Sequence, residues 1–149
     1  MTLTYSTGDI LNSGIEALVN PINCLGIQGA GLAKAFSQRY PLVEEMIAFH
    51  KTSLEIGKVT MVCLPLYEKS SYVFLLPTKK HWKDPSQLEW ITQGVEALRR
   101  ELVNRRIKEV AIPALGCGLG GLSWSHIKPI IEDMASKIPS ISCTVYPPQ

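Results

Sequence analysis

Residues 110–122, Val-Ala-Ile-Pro-Ala-Leu-Gly-Cys-Gly-Leu-Gly-Gly-Leu, pass from an apolar run into four glycines, Gly116, Gly118, Gly120 and Gly121, within six positions. The apolar part reads as a strand buried on both faces. Ser123-Trp124-Ser125 then offers a helix start, and apolar residues at helical spacing follow it. The order is strand, glycine loop, helix. Glycine lets backbone N–H groups come close to a ligand, because no Cβ intervenes. A helix N-terminus just beyond adds oriented donors and partial positive charge. That arrangement suits a phosphate. A glycine-rich turn with no ligand is the simpler alternative, and a glycine pattern does not decide between them.

The same order occurs earlier. Glu16–Asn20 reads as a mostly apolar strand, and Asn20-Pro21-Ile22-Asn23-Cys24-Leu25-Gly26-Ile27-Gln28-Gly29-Ala30-Gly31 leaves it as a polar, then glycine-rich, loop. Leu32, Ala33, Ala35 and Phe36 follow among Lys34, Gln38 and Arg39, as a helix would place them. Ligands of open α/β sheets bind outside the carboxyl ends of strands. Two such loops at one sheet edge would clasp a diphosphate from both sides. Asn20 and Asn23 carry amides that both donate and accept, which suits a sugar hydroxyl or an attacking water; ordinary turn chemistry is their other reading.

The remaining segments alternate in the same manner. Leu3–Ser6 is a first strand, and Thr7-Gly8-Asp9-Ile10 turns the chain. Asp9 either caps local backbone groups or presents a carboxylate to a ligand's amino group. Leu42–Lys51 is a helix with Leu42, Met46 and Phe49 inward, and Lys58–Leu66 is a strand. A turn at Glu68–Ser70 leads into Tyr72–Leu76, a strongly apolar central strand. At its end Pro77-Thr78-Lys79-Lys80-His81-Trp82-Lys83 brings polar, basic and aromatic residues out together, where catalytic groups often stand. Ser86 with Glu89 three residues on predicts a capping box. Leu88, Ile91, Val95, Leu98 and Leu102 form an apolar helical stripe, with Arg99, Arg100, Arg105 and Arg106 on a solvated face. A helix over Ser125–Lys137 would turn Ile127, Ile130, Ile131 and Met134 inward, with Pro129 near enough to its start to be tolerated. Ile141–Tyr146 is a last strand.

Several function classes are excluded or weakened. The chain has 149 residues, fitting one domain over 1–149, with 46% hydrophobic and 19% charged residues, enough for a real core. A net charge of +2 is too small for a surface that coats nucleic acid, though a local basic patch stays open. No run is long enough to span a membrane and nothing resembles a signal peptide. Cys24, Cys63, Cys117 and Cys143 are scattered, and His50, His81 and His126 do not join them at metal-ligand spacing. No metal is expected, and free thiols fit a cytoplasmic protein. Gly116-x-Gly118-x-x-Gly121 formally matches a dinucleotide fingerprint, but it comes late, with no second mononucleotide half after it. No Gly-Lys-Ser/Thr follows the glycines, and no G-x-S-x-G elbow exists.

Gly8-Asp9-Ile10, Ala17-Leu18-Val19-Asn20-Pro21-Ile22-Asn23, Gly29-Ala30-Gly31-Leu32-Ala33 and Pro113-Ala114-Leu115-Gly116-Cys117-Gly118-Leu119-Gly120-Gly121-Leu122 together resemble a macrodomain across essentially the whole chain. The resemblance implies a three-layer α/β/α fold around a mixed, mostly parallel sheet of about six strands, with ADP-ribose as ligand and no cofactor. Pro77–Trp82 with Gly-Leu-Gly-Gly-Leu-x-Trp is similar to the DarG-type branch, whose members remove ADP-ribose from thymidine in DNA as antitoxins to DarT toxins. It is also similar to the terminal ADP-ribose protein glycohydrolase, which acts on acidic side chains.

By that resemblance Asp9 would bind the adenine amino group, with Gly8 and Ile10 beside it and Tyr146 packing nearby. Gly29, Ala30 and Gly31, leading to Leu32, would form the first phosphate loop. Pro113, Ala114 and Leu115 would lead into the second, formed by Gly116, Cys117, Gly118, Leu119 and Gly120. Asn23, with Asn20, would hold the distal ribose. Lys79, after Thr78, matches the family's catalytic lysine, acting as an amine nucleophile or as a cation near the leaving group; a plain phosphate or DNA contact is its other reading. Lys80, His81, Trp82 and Lys83 would meet DNA, Trp82 by stacking on a base. One departure matters: the protein glycohydrolase has an aspartate where this chain has Gly120, which favours the DarG-type reading. DarG antitoxins carry a further C-terminal region that binds the toxin, and this chain ends at Gln149, so a standalone relative or a part of a longer protein is expected. A monomer acting on ADP-ribosylated DNA, with a DarT-type toxin as partner, is the reading that results. ADP-ribose-1″-phosphate phosphatase, protein ADP-ribosyl hydrolase and non-catalytic ADP-ribose reader are the alternatives.

Overall fold

The apolar runs of the sequence become a six-stranded sheet. A computed structural model describes residues 2–149. The strands are β1 (Thr2–Tyr5), β2 (Ala17–Asn23), β3 (Thr60–Cys63), β4 (Tyr72–Lys79), β5 (Glu109–Pro113) and β6 (Ser142–Tyr146). The helices are α1 (Gly31–Arg39), α2 (Pro41–Phe49), α3 (Leu88–Asn104) and α4 (Trp124–Ser136). The spatial order is β1-β6-β5-β2-β4-β3. Every pairing is parallel except β3 with β4, which is antiparallel. This is the mixed, mostly parallel sheet that the sequence predicts.

Successive strand residues point to opposite faces, and both faces are covered. Ala17, Val19, Phe74, Leu76, Val110 and Ile112 pack with Ile91 and Leu98 of α3 and Ile127 and Ile131 of α4. Leu18, Ile22, Val73, Leu75 and Ala111 pack with Phe36 of α1 and Val43 and Ile47 of α2. That division gives the three layers.

Two irregularities set up the site. First, β5 pairs with β2 only at Ala17 and Leu18, while β4 follows β2 to its end. Beyond Leu18 the carboxyl ends of β2 and β5 are therefore no longer paired with each other. Pro21 falls where β2 has one partner left, so its missing N–H costs the sheet little. Second, the β2–β4 register slips: Ile22 faces Pro77, but Asn23 faces Lys79. Thr78 is the extra residue. It is buried, and its hydroxyl donates to the Ile22 carbonyl at 3.4 Å. A bulge re-aims the side chain beside it, and here that side chain is Lys79.

Some expectations need correction. In α2 Val43 and Ile47 are fully buried, Leu42 and Met46 are half-buried against the same cluster, and Phe49 alone of the expected inward residues faces away. Phe49 lies about 120° round the helix from Val43 and is 79% exposed, edge-on to His50. Leu88 stands on the exposed first turn of α3 while Ile91, Val95, Leu98 and Leu102 are buried. Ile130 is only partly buried. The capping box at Ser86 does not form: Gln87 precedes the helix, no side chain caps it, and Ser86 is buried elsewhere. β3 is shorter than Lys58–Leu66, and Leu66 is fully exposed. β2 and β4 run three residues further than their apolar runs, carrying Asn23 and Lys79 as strand residues.

Candidate active site

Five chain segments meet at the carboxyl ends of the parallel strands. They are the β1 turn, the β2–α1 loop, the β4–α3 segment, the β5–α4 loop and the end of β6. This is the edge at which open α/β sheets bind ligands.

The β2–α1 loop is built by Asn23. Its Oδ1 accepts from the N–H groups of Leu25 (3.0 Å) and Ile27 (3.2 Å), and its Nδ2 donates to the Ile27 carbonyl. An amide offers two donors and two acceptor lone pairs. Three of the four are spent inside the loop, leaving one N–H for a ligand. This narrows the ribose-holding role expected for Asn23. The loop ends at Gly31, whose φ of 62° favours glycine. Ala30 precedes α1 and provides no side-chain cap. The first N–H groups of α1 are therefore open to an anion.

Asn20 follows Val19 in β2 and is fully buried, with both amide atoms lacking a protein partner. Gln28 shows the same: its amide oxygen and nitrogen are buried and unpartnered. Buried amides are normally satisfied, and neither Asn20 nor Gln28 finds its partner within the protein. Sequence patterning carries no signal for Gln28.

The β5–α4 loop is tight. Gly116 (φ 73°) and Gly121 (φ 77°) adopt left-handed conformations. Leu122 N–H donates to the Gly116 carbonyl at 2.9 Å and Gly121 N–H to the Gly118 carbonyl at 3.2 Å. Among the described residues, the N–H groups of Gly118, Leu119 and Gly120 donate to no protein acceptor. Three successive free donors form an anion-binding concavity. The Leu119 side chain is 69% exposed and lies against Gly31, where an added Cβ would be 3.4 Å from its Cδ1. The two glycine loops thus touch. Nothing lies within 4 Å of a Cβ placed on Gly29 or Gly118, so their faces are open.

Lys79 joins these parts. Its Nζ donates to the Leu119 carbonyl at 3.0 Å and to the Trp82 carbonyl at 3.4 Å. Its own carbonyl accepts from Cys24 N–H at 2.9 Å. The expected catalytic pair is therefore brought together: Asn23 and Lys79 are register partners at the ends of β2 and β4. Burial pushes the Cys117 thiol above its ordinary value, which disfavours the thiolate.

Other expected residues take more modest places. Leu115 is fully buried in the α3/α4 core and Pro113 is buried at the end of β5, so only their backbones reach the site. Ile10 is 6% exposed and shares an apolar cluster with Leu32 and Tyr146, which puts all three on the α1/α2 side of the sheet. Asp9 is exposed and caps its own turn, accepting from Leu11 N–H (3.0 Å) and Asn12 Nδ2 (2.6 Å). Both of its oxygens have lone pairs left. Gly8 donates its N–H to Ser6 Oγ at 3.2 Å. Thr78 spends its hydroxyl on the bulge rather than on the open cleft.

Beyond Lys79 lies a basic and aromatic patch. His81 and Trp82 stack with centroids 5.7 Å apart, Lys83 Nζ lies 5.1 Å from the Trp82 ring, and Lys80 Nζ lies 5.3 Å from the Trp90 ring. Trp82 is 48% exposed. An open cavity of about 240 Å³ lies elsewhere, lined by Asn12, Arg39, Tyr40, Glu68 and Ser70 among others and by none of the glycine-loop residues. Of its two basic residues, Arg39 and Lys69, Arg39 is already engaged, bonded to Glu68 (2.9 Å) and Asn12 (3.0 Å) and stacked on Tyr40. The chemistry-bearing groups are at the glycine loops.

A doubly covered, mostly parallel sheet with two glycine loops and a lysine at its carboxyl edge defines an α/β domain with free backbone donors at the ends of its parallel strands. A model of the Macro domain family matches residues 19–131, and the chain belongs to that family. The chain is similar to the DNA ADP-ribosyl glycohydrolase of Mycobacterium tuberculosis, with 37% identity over 150 residues, 98% of this chain and 42% of that protein. It thus spans about two-fifths of the length of that curated relative. The solved macrodomain of Mycobacterium tuberculosis DarG matches with a TM-score of 0.93 and 35% identity, over 99% of both chains. Thermosipho africanus DarTG, solved in complex with ADP-ribose, matches with a TM-score of 0.89 and 31% identity, over 99% of this chain and 42% of that one. No helix among the described residues is long and apolar enough to cross a membrane.

Proposed function

We propose that this domain binds ADP-ribose across the carboxyl ends of β2, β4, β5 and β6 and hydrolyses its bond to thymidine in DNA, reversing a DarT-type transferase. The observation that carries the reading is the bond from Lys79 Nζ to the Leu119 carbonyl, which places a primary amine on the rim of the second glycine loop. The similarity to DarG macrodomains over nearly the whole chain supports the choice of substrate.

The free N–H groups of residues 118–120 and of the first turn of α1 hold the diphosphate from its two sides. Asp9 accepts from the adenine amino group, with Ile10 and Tyr146 beside the ring. Asn23 donates its remaining N–H to the distal ribose. In thymidine N1 carries the deoxyribose, so ADP-ribose is joined at N3. Hydrolysis breaks the bond between the anomeric carbon and N3. A water oxygen takes its place on that carbon, and the proton that water loses is balanced by the one N3 gains. Positive charge builds on the sugar as the bond lengthens, and negative charge on the base. Lys79 stands as the cation that meets the departing base. Lys80, His81, Trp82 and Lys83 hold the flanking strand through phosphate contacts and stacking.

The test is incubation of the protein with single-stranded DNA carrying ADP-ribosyl-thymidine. Release of ADP-ribose by the wild type, abolished in Lys79→Ala, is the expected result. Release from ADP-ribosylated acidic side chains with DNA untouched would move the reaction to protein. Turnover of ADP-ribose-1″-phosphate alone would make it a phosphatase. Tight binding of ADP-ribose without release from any of these would make the domain a reader.

A further inference from the structure

Ser86 reads in the sequence as a helix cap, yet the structure gives it another setting. It is 4% exposed and lies under the second glycine loop, not at the end of α3. Its N–H donates to the Gly120 carbonyl at 2.9 Å. Its hydroxyl oxygen is buried and lacks a protein hydrogen-bond partner. A Cβ built on Gly120 would sit 2.7 Å from that oxygen and 2.4 Å from the Gly116 carbonyl oxygen. Gly120 is thus wedged between a backbone carbonyl and the Ser86 hydroxyl, with no room for a side chain.

The consequence runs to Lys79. Carbonyls of successive residues, Leu119 and Gly120, are held from the same β4–α3 segment, one by Lys79 Nζ and the next by Ser86 N–H. In a trans peptide the C=O and N–H point in opposite directions. Holding the Leu119 carbonyl turns the Gly120 N–H away from Lys79. Holding the Gly120 carbonyl aims the Gly121 N–H at its acceptor, the Gly118 carbonyl.

We propose that Ser86 is a positioning residue for the reaction: from beneath Gly120 it fixes the loop that presents free N–H donors to the diphosphate and a carbonyl to Lys79. It touches no reacting atom. Its backbone N–H sets the carbonyl, and its hydroxyl closes the space beside the Gly120 Cα. The inference deepens the reading of the site as one for ADP-ribose, so its test has an arm that needs no ligand.

That arm is amide hydrogen exchange in the unliganded protein, for wild type, Ser86→Ala and Ser86→Thr. Ser86→Ala keeps the N–H bond to the Gly120 carbonyl and empties only the space beside the Gly120 Cα, so the Gly121 and Leu122 N–H groups exchange a few-fold faster while β6 is unchanged, because the opening is local. Ser86→Thr keeps the hydroxyl and stays near wild type. The second arm is calorimetric affinity for ADP-ribose with single-turnover rates. Ser86→Ala weakens binding and slows turnover, each several-fold, and Ser86→Thr recovers both. Loop exchange unchanged in Ser86→Ala, or raised equally throughout the molecule, overturns the proposal. Expected loop exchange without ADP-ribose binding by the wild type overturns the ligand reading and leaves the hold of Ser86 on the loop standing.

Discussion

Lys79 Nζ donates to the Leu119 carbonyl at 3.0 Å, so the last residue of β4 is tied directly to the second glycine loop. An ammonium has three donors; Leu119 and Trp82 take two, and the third is left for a substrate. Removing a group that assists the departing base costs about 10²–10⁴-fold in rate. Lys79→Ala is expected to lose turnover on that scale while ADP-ribose affinity changes much less. Single-turnover release and calorimetry separate the two quantities. Equal losses in both would make Lys79 a binding residue.

The glycines of the two loops differ in what they protect. An Ala Cβ at Gly118 meets nothing within 4 Å, whereas at Gly120 it meets the Gly116 carbonyl oxygen at 2.4 Å. Gly118→Ala is expected to leave stability within about 0.5 kcal/mol, as for an open surface site, yet weaken ADP-ribose binding, because the diphosphate needs that face. Gly120→Ala is expected to cost about 1–3 kcal/mol through overpacking and to lose binding as well. Thermal melts and calorimetry on both variants check this. Unchanged affinity in Gly118→Ala would move the diphosphate off the second loop.

The layers were legible in the sequence because strands buried on both faces leave unbroken apolar runs, and Tyr72–Leu76 and Val110–Ile112 are such runs. The glycine loops were legible because only glycine readily supplies φ near 70°, as at Gly116 and Gly121. Three features were not legible. The bulge at Thr78 comes from pairing with β2, a contact 56 residues away in sequence. Ser86 has the composition of a cap, and only the approach of Gly120 shows that it is not one. In α2 the apolar positions Leu42, Val43, Met46, Ile47 and Phe49 fit two overlapping stripes, and packing against Phe36 and Leu18, not periodicity, selects Val43 and Ile47.

Asn20 has 0% exposure and no protein partner for either amide atom. A buried polar group left unsatisfied costs about 1–3 kcal/mol. Asn20→Leu keeps the branching at Cγ with the same number of heavy atoms and removes that cost. The variant is expected to melt a few degrees higher, at about 2–4 °C per kcal/mol for a chain of this size, while ADP-ribose binding weakens. A gain in stability with full affinity would show that the Asn20 amide serves neither ribose nor its water.

Trp82 is half exposed between His81 and Lys83, and its carbonyl accepts from Lys79. A base stacked on an aromatic ring is worth about 1–3 kcal/mol. Trp82→Ala is expected to weaken binding to a modified oligonucleotide by that amount and to leave free ADP-ribose binding unchanged. Replacing Lys80 and Lys83 together lowers the slope of log affinity against log salt by about 0.7 for each single-strand phosphate that the two lysines neutralise. Fluorescence anisotropy across a salt series measures both effects. An unchanged slope would place the strand elsewhere.

Cys143 lies near the start of β6 at 1% exposure, where burial pushes its thiol from 9.0 to about 11. The folded protein holds this proton more tightly than the unfolded chain does. The stabilisation is therefore complete below pH 9 and is lost as pH rises through 11. Two pH units correspond to about 3 kcal/mol. Burial raises the Tyr40 hydroxyl in the same direction from 10.0, so the wild type is expected to weaken steadily in alkali. Cys143→Ala leaves a small cavity and starts less stable, but its stability should fall less between pH 9 and 11, with the Tyr40 contribution remaining. Urea midpoints at half-unit pH steps measure the two slopes. Identical slopes would mean that the thiolate of β6 is solvated on ionisation, and that the strand opens there before the rest of the sheet.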